Sequence, residues 1–179
     1  MNEMQTMKRP TLLPMIIALT VMMAALIMMI TSTLFAAEPL NDEDALKGLK
    51  SGKVVWDINM GDAQKMALYL KVIRQTYDDL KRQGVEPEMV FTFRGFSVKV
   101  VSTTPDILPL DRQLYQEEVW EILREMQQRP GVRMEACNVA TSLFGVENRS
   151  LLKKVKAVGN TFVSLIGYQA KGFAIIPIY

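Results

Sequence analysis

The chain has 179 residues, with 21 Lys and Arg against 19 Asp and Glu, one cysteine and no histidine. Without imidazole or a second thiol it lacks the ligand set that zinc, copper, haem or an iron–sulfur cluster ordinarily takes, and it lacks the base of a Ser-His-Asp or Cys-His pair. No metal and no cofactor is therefore expected, and a formal net charge of +2 leaves no basic footprint for nucleic acid.

Charge ends early at the N-terminus: Glu3, Lys8 and Arg9 are followed by an uncharged run from Thr11 to Ala37. The apolar stretch Leu12–Ile30 approaches the ~20 residues that cross a bilayer as a helix. Eight of the 13 methionines also fall in the first 37 residues, so methionine richness is a property of this leader and not of a metal carrier. Ser32, Thr33, Ala36 and Ala37 supply small residues before Glu38-Pro39, as a signal cleavage site would, although Phe35 is bulky at the third position back. Residues 1–37 are read as a signal peptide or an N-terminal membrane anchor, with both outcomes open. Lys8 and Arg9 precede the run and Glu38, Asp42, Glu43 and Asp44 follow it, which places the folded part outside the cytoplasm. In a bacterium that is the periplasm, with the protein either soluble after cleavage or anchored to the inner membrane.

Residues 38–52 are polar and read as a linker, with a short docking helix as the alternative, and residues 53–179 form the domain. Lys53–Asn59 is rich in β-branched and aromatic residues and predicts a strand, after which Asp62 is placed to cap a helix. Met66, Tyr69, Leu70, Ile73, Tyr77 and Leu80 recur at three- and four-residue spacing, predicting a helix from Asp62 to Gln83 that Gly84 ends. Val85–Phe93 predicts a second strand, followed by an excursion through Pro105 and Pro109 with room for one helical turn. Tyr115, Val119, Ile122, Leu123 and Met126 predict a helix over 111–128, and Val132–Ala136 a third strand. A short helix over 139–146 is then expected, capped by Asn138, with Cys137 at the corner. A fourth strand at 154–158, a helix capped by Asn160 and carrying Phe162, Val163, Leu165 and Ile166, and a last strand at 173–178 complete the chain.

Alternating strands and helices imply right-handed crossovers, hence an α/β three-layer sandwich on a mainly parallel sheet of about five strands. Sites in such sheets gather at the C-terminal ends of the strands, here Asn59–Asp62, Arg94–Ser97 and Cys137-Asn138. Cys137 is the one nucleophile with chemical promise, since a thiol at a helix start meets unpaired N–H groups that favour thiolate. Its simpler reading is a small buried hydrophobe. Arg94 reads first as a solvent-facing arginine, and as an anion or thiolate partner if the loops converge. Asn59 and Gly61 are ligand-binding candidates whose simpler role is turn formation.

The string Val132-Arg-Met-Glu-Ala-Cys137-Asn138, followed by a short helix, a Val-rich strand, a helix and Tyr168-Gln-Ala-Lys-Gly-Phe-Ala-Ile-Ile-Pro177, resembles the DsrE/DsrF-like family. Phe93-Arg94-Gly95 with Ser97-Val98-Lys99 is similar to its secreted or periplasmic members. The resemblance implies a small five-stranded sandwich that assembles into dimers, trimers or hexamers. It also implies that Cys137 holds the position that carries persulfide sulfur in relay members, with Asn138 donating backbone N–H beside it. An exported sulfur carrier, passing sulfane sulfur between a donor and an acceptor protein, is thus expected. The alternative is a non-catalytic oligomeric binding or assembly subunit in which Cys137 merely packs. Membrane contact is expected only through an uncleaved leader.

Overall fold

The computed structural model describes residues 16–24, 39–105 and 107–179. The chain divides into two compact units, Met1–Asn41 and Asp42–Tyr179. In the first, residues 16–24 form a helix, α1. Among the described residues no helix is long and apolar enough to cross a membrane. Most of the Leu12–Ile30 run and the Ala36-Ala37 cleavage site lie outside the described residues.

The second unit opens on a docked turn. Helix α2 (Glu43–Leu46) follows Asp42, whose backbone N–H donates to Gln83 Oε1 (2.6 Å) and whose carboxylate accepts from Gln83 Nε2 (3.0 Å). This part of residues 38–52 is thus hydrogen-bonded to Gln83, and strand β1 (Ser51–Ile58) begins two residues earlier than the sequence suggested.

Four more strands join β1: β2 (Glu86–Phe93), β3 (Val132–Cys137), β4 (Val155–Val158) and β5 (Ala174–Ile178). They pair in parallel throughout, in the order β4-β3-β2-β1-β5. β1 is thus an interior strand, flanked by β2 and β5, with Val55 opposite both Val90 and Ile175. Such strands are apolar on both faces because helices cover both.

Helices α3 (Ala63–Arg82) and α5 (Leu110–Met126) cover one face. Asp62 caps α3 by accepting from Lys65 N–H at 3.0 Å, as its position predicted. Met66, Leu70 and Ile73 then meet Trp56, Phe91 and Phe93 in one large core. Tyr69, assigned to the same stripe by spacing, is 42% exposed. Between β2 and α5 the chain makes one helical turn, α4 (Ser97–Val100). Gln116 fastens it from within, Nε2 donating to the carbonyls of Lys99, Val100 and Ser102 at 3.1–3.2 Å, while Trp120 Nε1 donates to Val100 O (2.8 Å).

The opposite face is thin. Val55, Val90 and Phe173 form its small buried cluster, against which Leu165 and Tyr168 of α7 (Thr161–Ala170) pack. Asn160 caps α7 as expected, accepting from Phe162 N–H at 2.9 Å. The remaining helix, α6 (Asn138–Leu143), is shorter than predicted and starts one residue early.

The two faces of α3 generate a stability prediction. Leu70→Ala, at a fully buried position, is expected to cost about 2–5 kcal/mol in chemical denaturation followed by tryptophan fluorescence. Leu68→Ala, 62% exposed two residues away, is expected to stay within about 0.5 kcal/mol.

Candidate functional site

Because β1, β2 and β3 run in parallel, their ends deliver Asn59, Arg94 and Cys137 to one edge of the sheet. There they line a cavity of about 290 Å³ together with Thr161 from the start of α7. Val139, Leu143, Phe144 and Phe162 form its apolar walls. Three of the residues singled out from sequence are thus brought together, from three separate loops.

Arg94 does not face solvent. Its side chain is 17% exposed and grips buried Asp57 with two bonds, Nε to Oδ1 at 2.7 Å and Nη2 to Oδ2 at 2.9 Å. This paired geometry is the strong form of an arginine–carboxylate contact, and Asp57 raises the pKa of the guanidinium further, against the effect of burial. The third nitrogen, Nη1, is met by the Asn59 side-chain oxygen at 3.0 Å, while the Asn59 amide nitrogen donates to Arg94 O at 3.3 Å. The Phe162 ring covers the guanidinium, 5.3 Å from Cζ. Arg94 is therefore a brace whose charge is already matched, and Asn59 is the clip that holds it.

Gly95 makes the clip fit. Its φ is +56°, and a Cβ there would lie 1.9 Å from the Asn59 side-chain amide group. The other predicted glycine serves a different place: a Cβ on Gly61 would come within 2.6 Å of Phe96 Cβ. Gly61 lines a neighbouring cavity with Phe96 and Leu108 and does not reach Cys137. Phe96 in turn stacks on Phe144, ring centroids 4.4 Å apart, tying α4 to α6.

Cys137 occupies the N-cap of α6 in an extended conformation, 6% exposed. Burial acts to raise the pKa of its thiol, but hydrogen bonding from the backbone N–H groups of Thr161, Ala140 and Val139 opposes it, and the pKa lies below the ordinary value. The donors come from two corners, the start of α6 and the start of α7. Asn138, expected to cap α6, does not: its side-chain oxygen accepts from Asn148 Nδ2 at 2.6 Å, pinning α6 to the turn Asn148–Ser150. The N-cap residue is Cys137, one position earlier, and Asn138 does not line the cavity.

Sequence reasoning missed Thr161 and Asp57. Thr161 lies just beyond the end of β4 as Cys137 lies at the end of β3, so the strand-end rule points to it, but no feature of the sequence shows its depth: it is 1% exposed. Its hydroxyl oxygen has no partner within hydrogen-bond limits, a cost of about 1–3 kcal/mol for a buried polar group.

Two outcomes follow from this geometry. Asp57→Ala leaves Arg94 unpaired at the strand ends and is expected to cost about 3 kcal/mol of unfolding free energy, measured by denaturant titration. Alkylation of Cys137 by iodoacetamide is expected to reach half its maximal rate below the pH of about 8.5 typical of a free cysteine, because thiolate is the reacting form.

No family model matches the chain. Over 129 residues it is 30% identical to an uncharacterized protein of Aquifex aeolicus (strain VF5), covering 70% of this chain and 55% of that protein. The chain thus spans about half the length of the curated relative it matches. Among solved structures it is similar to MTH1491 from Methanobacterium thermoautotrophicum, a protein of unknown function, with a TM-score of 0.55 and 21% identity over 72% of this chain and 100% of that one. That likeness is one of fold, and it agrees with an α/β sandwich built on a five-stranded parallel sheet.

Proposed function

We propose that this chain is an exported DsrE/DsrF-like sulfur carrier, in which Cys137 accepts sulfane sulfur and hands it on. The observation that carries the reading is a thiol at the floor of a cavity, with N–H donors from two helix starts lowering its pKa despite burial. The chemistry needs no cofactor. Cys137 thiolate attacks the outer sulfur of a donor persulfide R–S–SH; the Cys137–sulfur bond forms, the donor S–S bond breaks, and R–S⁻ leaves. An acceptor thiolate then attacks the outer sulfur of Cys137–S–SH and releases the Cys137 thiolate. Sulfur moves with no net oxidation, which suits a site built of one thiol and neutral donors.

A second reading, a binding or assembly subunit, is favoured by α7. Phe162, Val163 and Ile166 are 57%, 66% and 70% exposed on the helix that alone covers the thin face. A face of this kind suits self-association, the homo-oligomer expected from sequence. The charge pattern around the leader supports an extracytoplasmic site of action for either reading.

Intact mass spectrometry separates the two. The full chain, purified in mild detergent and exposed to polysulfide, is expected to gain sulfur atoms that a small thiol removes, and Cys137→Ser is expected to gain none. A wild-type protein that stays unmodified would leave the assembly reading. Ile166→Asp is expected to lower the mass found by light scattering if α7 forms the contact between copies, with wild-type mass in that variant counting against it.

A further inference from the structure

Among the buried polar side chains that line the Cys137 cavity, one lacks a partner. Asn59, Arg94 and Asp57 pair with one another, and Asn160 Oδ1 accepts from Phe162 N–H. Thr161 Oγ1 has no such partner, although Thr161 is 1% exposed and lines the cavity. Among the described residues two other buried polar atoms lack partners, Trp56 Nε1 and Glu135 Oε2, and neither residue lines this cavity. The hydroxyl is not needed as a helix cap, since Asn160 already caps α7. Valine would fill the same volume and leave no unpaired donor.

The neighbour of this hydroxyl explains it. β3 and β4 are adjacent, with Cys137 opposite Val158, so the corner after β4 brings Thr161 beside the corner that holds Cys137. A neutral thiol is a weak acceptor, which leaves the hydroxyl unmatched, whereas a thiolate is a strong one. We infer that Thr161 is a positioning residue for Cys137, its Oγ1–H donating to the anionic sulfur and holding it at the cavity floor. No other side chain of the cavity competes for the role. Arg94 is the charged residue among those lining it, at the end of β2, and its charge is matched by Asp57 on β1. The linings contributed by α6 and α7 are otherwise uncharged. Within the carrier reading, on which this extension rests, the same donor is in place for the anion of a Cys137 persulfide.

The test is the pH profile of Cys137 alkylation in the full chain, read by intact mass, for wild type, Thr161→Val, Thr161→Ala and Thr161→Ser. Loss of one hydrogen bond to a charged group is expected to move the half-point up by about one pH unit in Val and Ala, making alkylation about tenfold slower near neutrality. Ser keeps the donor and is expected to restore the wild-type half-point. A wild-type profile in Thr161→Val or Thr161→Ala would overturn the inference, as would a Thr161→Ser protein that shifts as they do. Ala adds no bulk, so it supplies the measurement if Val does not fold. Titration and sulfur loading are read separately: a Cys137 that titrates as expected yet takes up no sulfur would end the carrier reading and leave the role of Thr161 standing.

Discussion

Right-handed crossover is the constraint from which the rest of this molecule follows. Steps from β1 to β2, β3 and β4 all run the same way across the sheet, so α3, α5 and α6 must fall on one face. The step from β4 back to β5 passes the other way and puts α7 on the opposite face by itself. The same parallel order collects the C-terminal ends of the strands along one edge. Thick core, thin face and cavity are therefore three results of a single order of strands.

Within that edge the Asp57–Arg94 pair sets the geometry of the loops. A charge pair removed from water gains stability only when its remaining donors are satisfied. Asn59 and the Phe162 ring complete that shell for Arg94. The loop after β1, the loop after β2 and the start of α7 are thereby locked to one another. Cys137 enters the same cavity from β3, supported by Asn138 and Asn148 on its outer side. The sulfur is thus held by a scaffold whose own charges are spent before any ligand arrives.

Much of this was written in local pattern. The stripe Met66, Leu70, Ile73 and Tyr77, the Asp62 cap and the doubly apolar Val54–Ile58 run gave α3 and β1 almost to their ends. Alternation gave the parallel sheet, and the strand-end rule gave Asn59, Arg94 and Cys137. What stayed hidden depends on strand order and register. Arg94 finds Asp57 only because β1 and β2 align, 37 residues apart in the chain. Phe162, Val163 and Ile166 look like an inward stripe, and they face outward because α7 has only a narrow strip of sheet to cover. Asn138 looks like a cap, yet the extended backbone of Cys137 takes that position one residue earlier. Thr161 stands out only once its depth and its lack of a partner are known.

The matched charge of Arg94 bears on how anything reaches this cavity. A cavity whose lining cation is paired with a buried carboxylate 2.7 Å away offers little local charge to steer an ion, so arrival of a ligand there would depend little on ionic strength. Selection among ligands of such a cavity would then fall on how long each one stays against Val139, Leu143 and Phe162, at departure and not on approach.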